Sequence, residues 1–268
     1  MTNSSEADFS DLPMERPLAP LPLRQTVSAV LQAIYAHGSS MSQLALVPIL
    51  IAFALTAGAL ALDSIPWLSF FAMGVNLYLL VWFASAVFRL LLRGQGPDLN
   101  HPLPRWGPAE GRLALRGLGL LGLAMLATMP ASILFGSLGG GIGPDGPQPG
   151  VWMLGPLFVA AIVMLGLSFS LPAAALGRGY GYKRAWHDAK GALAQLFALF
   201  LVVVLPVDLA IALLDVLLLQ LQLATDLVIP RAAVGTAANY LSVALATSVL
   251  AVAFAKRTQW QRPEQTAR

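Results

Sequence analysis

Arg178 to Gln222 reads RGYGYKRAWHDAKGALAQLFALFLVVVLPVDLAIALLDVLLLQLQ. It opens as a basic, aromatic run (Arg178, Tyr180, Tyr182, Lys183, Arg184, Trp186, Lys190) and then turns apolar. From Ala192 to Leu223 the only ionisable side chains are Asp208 and Asp215. Roughly 20 apolar residues cross the ~30 Å hydrocarbon core of a bilayer, so this run is long enough to span one. Lysine and arginine beside a span mark its cytoplasmic end. The stretch therefore predicts a basic helix on the lipid surface followed by a membrane-spanning helix.

The rest of the chain has the same character. Of its 268 residues 57% are hydrophobic and only 11% are charged, against about 25% charged in an ordinary soluble domain. The fold class predicted is all-α and polytopic, with six transmembrane helices near 42–62, 66–88, 117–138, 152–177, 192–214 and 234–255. Residues 1–40 read as a cytoplasmic tail with an interfacial helix at 24–36, 41–257 as the membrane domain, and 258–268 as a second cytoplasmic tail. Within 1–22 the acids Glu6, Asp8, Asp11 and Glu15 occur with Pro13, Pro17, Pro20 and Pro22, a disordered composition. Val27, Val30, Leu31, Ile34 and Tyr35 recur at helical spacing and give helix 24–36 one apolar face. Short interfacial helices are expected before spans one and five, with a third before span three. Asp63 to Pro66 reads as a tight turn, Arg89 to Arg116 as a polar loop, and Gly139 to Gly150 as a loop rich in glycine and proline. No basic segment followed by an apolar one opens the chain, so a cleavable signal peptide is not expected.

Charge placement sets the orientation. In this layout 15 of the 16 lysines and arginines fall in the N-terminal tail, the second and fourth loops and the C-terminal tail, and only Arg231 falls on the other side. That bias predicts a bacterial cytoplasmic (inner) membrane protein with both termini in the cytoplasm. A weak repeat accompanies it. Arg24 to Pro48, Arg105 to Pro130 and Arg184 to Pro206 are 24, 25 and 22 residues apart, as three hairpins would give, each an interfacial helix plus two spans.

The segment LPAAALGRGYGYKRAWHDAKGALAQLFALFLVVVLP combines a small-residue span end, a basic helix with Ala-Trp, and Lys-Gly leading into a Leu-rich span. Over residues 170–206 it resembles a group of six-helix bacterial inner-membrane proteins similar to the membrane domain of some glycerophosphodiester phosphodiesterases. The resemblance implies location and helix number. It implies no activity, since that membrane domain carries no assigned catalytic residues and the chain has no room for the phosphodiesterase barrel.

Few residues carry candidate chemistry. Asp208 lies about 25 Å along its helix from Gly191, and a carboxylate at that depth costs several kcal/mol unless paired, neutralised or wetted. It is read either as a proton or cation site or as a structural group near the outer headgroups or paired with Arg231. Asn76 and Asn239 are buried amides that line a polar path with Asp208 on the first reading, and join helices by hydrogen bonds on the second. Ser168, Ser170, Thr236 and Ser242 take the second reading. Asp215 shares a face with Asp208 but sits in the headgroups, and neither follows a glycine, so an intramembrane aspartyl protease is not predicted. Gly117, Gly119 and Gly122 match G-x-G-x-x-G but open a span, so they read as helix packing rather than a dinucleotide loop. Gly166, Ser170 and Ala174 form a small-residue face of the same kind.

No cysteine is present, which excludes thiol catalysis and thiolate metal sites. His37, His101 and His187 are scattered and lack metal-ligand spacing. His187 and Asp188 are adjacent, hence expected to point apart, and no G-x-S-x-G elbow supports hydrolase chemistry. The basic helix, with Tyr182, Ala185, Trp186 and Ala189 on its apolar side, predicts contact with anionic lipid headgroups through Arg178, Lys183, Arg184 and Lys190, and no nucleic-acid partner. The residues thus lead to a non-enzymatic, accessory or membrane-organising inner-membrane protein without cofactor or metal, partnered by the bilayer and by itself or another membrane protein. The alternative is a secondary transporter or exporter of a small amphipathic solute.

Overall fold

A computed structural model describes residues 19–61, 66–94, 106–139, 142–143, 146–147, 154–177, 179–224 and 228–260. Residues 1–18, 62–65 (where a tight turn is expected), 95–105 with His101, most of 140–153, Arg178, 225–227 and the last eight residues lie outside them. The helices are α1 (Leu23–Ala61), α2 (Pro66–Arg93), α3 (Pro108–Gly139), α4 (Leu154–Leu167), α5 (Ser170–Ala175), α6 (Tyr182–Lys190), α7 (Leu193–Val203), α8 (Leu205–Ala224) and α9 (Val228–Arg257). Between α3 and α4, β1 (Ile142–Gly143) pairs antiparallel with β2 (Gly146–Pro147). Five helical stretches are long and apolar enough to cross a membrane: those in α1, α2, α3 and α9, and α7 continued through α8. The sixth apolar helix, α4, has 14 residues.

Two boundaries differ from the expectation for a local reason. The predicted helix 24–36 is no separate element but the first part of α1, a 39-residue helix. A lone glycine costs a helix only ~1 kcal/mol, and at Gly38 the Ser42 hydroxyl bonds the Gly38 carbonyl at 2.9 Å, so the helix carries on. Its apolar stripe also divides. Val30 is fully buried, as is Thr26, whereas Leu31 and Tyr35 are exposed. In the same way the start of α3 runs straight into its long apolar stretch. Only α6 stands as a separate short helix ahead of its hairpin.

Prolines and serines break the remaining long runs. The run 192–214 is interrupted at Val204, two residues before Pro206, which lacks an N–H and crowds the carbonyl four residues back. The run 152–177 breaks at Ser168–Phe169, where Ser168 Oγ donates to the Leu165 carbonyl and Ser170 Oγ to the Leu167 carbonyl, each at 2.7 Å. These hydroxyls therefore serve their own backbone rather than a neighbouring helix.

The helices form three hairpins, α1–α2, α3–α4 and α7/α8–α9, closed in a ring. α3 packs against α2, α6 against α4, and α1 against α9, so the opening helix of each hairpin touches the closing arm of another. In the middle α2, α5 and α9 meet one another. Ser85, Phe88, Phe169, Ser170, Ser248 and Ala251 are buried there, and Phe254 meets Phe169 and Tyr180 edge-on at 5.9 and 5.8 Å. The described lysines and arginines gather at this end, apart from Arg231 at the start of α9. At the opposite end side chains such as Leu126, Leu213 and Ile229 are exposed.

The repeat inferred from basic residues and prolines has a backbone counterpart. The closing arm of each hairpin ends in a residue with positive φ: Gly94 (72°), Gly177 (78°) and Gln259 (51°). A left-handed residue at a helix C-terminus lets the last carbonyls be bonded, as in Gly177 N to Ala174 O at 2.9 Å and Trp260 N to Ala255 O at 2.9 Å. Any residue but glycine costs about 1–2 kcal/mol there. Gly177→Ala should therefore lower stability by roughly that amount, and Gln259→Gly should raise it by up to about 1 kcal/mol. Melting of the detergent-solubilised variants checks both signs.

Candidate functional site

Two polar constellations stand out, one at the basic end and one on the flank of α8 and α9. The first begins with Glu110. Gly107, Pro108 and Glu110 occupy the start of α3, with proline at the first helical position, where no N–H is needed. Glu110 Oε2 accepts the Gly107 N–H at 3.0 Å, which is the return half of a capping box. Its other oxygen, Oε1, accepts from Ser85 Oγ at 3.1 Å and from Arg89 Nη2 at 2.5 Å. The carboxylate is 1% exposed and fastens α3 to α2. One turn below, Trp106 stacks on Tyr78 at 4.7 Å.

Asp188 plays the corresponding part on α6. It is buried, accepts a hydrogen bond from Tyr180 Oη, and lies 3.9 Å from Arg184 Nε. His187 Nδ1 is 3.2 Å from Asp188 Oδ1, so these neighbours meet, contrary to the expectation that they point apart. Burial, then the bond to Asp188, pushes the Tyr180 phenol well above its ordinary value of 10.0. Arg257 Nε donates to the Asp188 carbonyl at 3.0 Å, and its Nη1 to the Ala19 carbonyl at 2.8 Å. Arg93 Nη2 reaches the Leu176 carbonyl at 2.6 Å, Arg112 Nη1 the Gly177 carbonyl at 2.8 Å, and Trp260 Nε1 the Leu92 carbonyl at 3.1 Å. Apart from the bond to Ala19, which lies ahead of α1, each joins a charged or aromatic donor to a carbonyl at the C-terminal end of another helix.

Glycines admit the aromatic rings of α6. A side chain at Gly119 would strike the Tyr182 hydroxyl, and one at Gly166 the Trp186 ring. Gly117 and Gly122 have open space over them, so of the three glycines read as packing residues only Gly119 fills that role. Ser170 and Ala174 are buried on α5, but the break at Ser168–Phe169 separates them from Gly166 on α4, so the three do not form one continuous helix face. Of the proposed lipid contacts, Lys183 and Lys190 are exposed. Arg184 turns inward, with its guanidinium 5.4 Å from the Tyr180 ring centroid. Arg178 is outside the described residues.

The second constellation holds the residues singled out in the sequence. Asp208 is exposed on α8, and its Oδ1 accepts from Ser242 Oγ on α9 at 2.5 Å. Arg231 does not reach it. That guanidinium forms a two-pronged pair with Asp215, Nε to Oδ1 at 2.8 Å and Nη2 to Oδ2 at 3.0 Å. Asn239 lies one turn from Ser242 and is exposed rather than buried. Asn76 is half-buried on α2, where its Oδ1 faces the Tyr240 hydroxyl at 3.5 Å. Positions 240 and 242 point to opposite sides of a helix, about 200° apart. Asp208 and Asn239 therefore share one flank, and Asn76 lies behind α9. Thr236 bonds the carbonyl of Ala232 in its own helix. Among the described residues no group of three metal-ligating side chains occurs. Comparison with models of known protein families, with curated proteins and with solved structures finds no match.

Removing one partner of a buried ion pair leaves the other uncompensated, at a cost of ~3 kcal/mol or more. Arg89→Leu should thus destabilise the protein by that order, while Arg89→Leu with Glu110→Leu should recover part of the loss, measured by unfolding in mixed micelles. Tyr180 adds a pH dependence with a definite sign. Its folded-state pKa is raised, so its contribution is whole below pH ~10 and lost as pH rises beyond, at up to about 1.4 kcal/mol per unit. Tyr180→Phe should flatten the fall in melting temperature between pH 9 and 11.

Proposed function

We propose that this chain is an integral protein of the bacterial cytoplasmic membrane with six spans and both ends in the cytoplasm, and that its work is non-enzymatic: accessory to other membrane proteins, or organising the membrane itself. Five long apolar helices support the membrane location. The sixth crossing is α4 continued through α5, whose 22 residues from Leu154 to Ala175 would extend ~33 Å as a helix. The gathering of basic residues at one end supports the orientation. In that orientation α6 lies at the cytoplasmic surface, with Lys183 and Lys190 toward anionic headgroups.

One observation carries the non-enzymatic reading. The buried ionisable groups at the basic end, Glu110, Asp188 and Arg257, are engaged in joining one helix to another. Catalytic acids and bases are instead kept within reach of a substrate. A secondary transporter would need Asp208, Asn76 and Asn239 along one path. With Asn76 on the far side of α9, the geometry favours the structural reading.

Reporter fusions test the topology. Alkaline phosphatase should be active when fused after Gly146, and green fluorescent protein should glow when fused after Gly107; the reverse pattern would overturn the orientation. Asp208→Asn separates the two functions. On the organising reading it alters assembly but not solute flux in vesicles, whereas loss of flux from a folded, inserted variant would establish the transporter.

A further inference from the structure

On the reading that the chain spans a membrane, we propose that a second copy of this chain docks on the flank of α8 and α9 that carries Asp208, Ser242 and Asn239. α8 is held along a single stripe. Val207, Ile211, Asp215 and Leu218 are half-buried, and every other α8 side chain from Leu205 to Gln220 is exposed. Among the described residues its only substantial packing beyond α7 is with α9. On an apolar helix in lipid this would be unexceptional but for Asp208. The carboxylate lies seven residues, ~10 Å, along α8 from the Asp215–Arg231 pair and well inside the hydrocarbon. One oxygen accepts from Ser242, and Oδ2 has no partner among the described residues. A carboxylate can accept about four hydrogen bonds, and lipid tails offer none.

Asn239 supplies the complement. It is exposed, and its amide has no hydrogen bond among the described residues. α8 and α9 run antiparallel with position 208 beside 242 and 215 beside 231. Helical periodicity then turns Asp208 and Asn239 to the same side of the pair. The patch thus holds an open acceptor and an open donor at depths about one helical turn apart. That is the requirement for a two-fold interface, in which residue i of one copy meets residue j of the other and the reverse. With the two-fold axis along the membrane normal, each group keeps its depth. The Asn239 amide of one copy reaches the Asp208 carboxylate of the other, twice over. Gly235, four residues before Asn239, has open space above it and permits close approach. A different partner would have to bring its own donor and acceptor at these depths. This chain already carries both.

The chain has no cysteine, so single thiols can be placed cleanly. Ala212→Cys, on the exposed flank one turn from Asp208, should form a disulfide-linked homodimer in oxidised native membranes. Leu126→Cys, on the exposed side of α3, should not. Asn239→Ala removes only an exposed amide. It should raise the dimer dissociation constant in vesicles, followed by single-molecule photobleaching on lipid dilution, roughly tenfold. Equal crosslinking at both positions, a monomer at every dilution, indifference to Asn239→Ala, or a crosslink at Ala212→Cys to another protein alone would each overturn the proposal. Recovery of the chain in a carbonate-washed supernatant would instead show that the membrane reading itself had failed.

Discussion

Every helix leaves its last carbonyls without intrahelical partners, and a membrane protein has little water near the bilayer to satisfy them. Here that constraint builds the molecule. The carbonyls of Leu92, Leu176 and Asp188, at the ends of α2, α5 and α6, are taken by Trp260 just beyond α9, by Arg93 of α2 and by Arg257 of α9. Each bond ties the end of one helix to another, and together they join all three hairpins. Glu110 and Asp188 add a buried carboxylate to two of the joints. The packed core sits where these joints are, so the basic end is the keystone of the fold and the remaining helix lengths are left to the solvent around them.

Much of this was legible in the residues. The apolar runs, the basic flanks and the three prolines led to helical hairpins in series, and α2 and α9 lie close to where they were expected. The continuity of α1 was not legible, because Ala36-His37-Gly38-Ser39-Ser40 has the composition of a boundary, and only the Ser42 bond back to Gly38 shows how the helix passes through it. The break at Ser168 was hidden for a related reason: apolarity reports what lipid tolerates and not whether the backbone runs straight.

Polar residues were harder to place. Asp208 stands out in the sequence because it interrupts an apolar run, whereas Glu110 lies in a segment already rich in charge. The signal for Glu110 was positional, Trp-Gly-Pro-Ala-Glu, with proline and glutamate at the first and third places of a helix. By position Asp215 reads as a headgroup residue, and its partner Arg231 is offered by the sequence only as one of several alternatives for Asp208. The two acids are seven residues apart on one face, and only the stagger of α8 against α9 decides between them.

The ring closes between the first helix and the last. Arg257 holds the carbonyl of Ala19, and Lys256 that of Gln25, across 238 and 231 residues of chain. A nascent polypeptide emerging from the ribosome cannot make either bond until its final hairpin has been synthesised. Throughout translation the amino-terminal turn of α1, with Thr26 and Val30 destined for the interior, must wait without its mate. Assembly at this end is therefore sealed only once α9 is in place, and until then the opening turn of α1 offers uncovered surface to quality-control machinery.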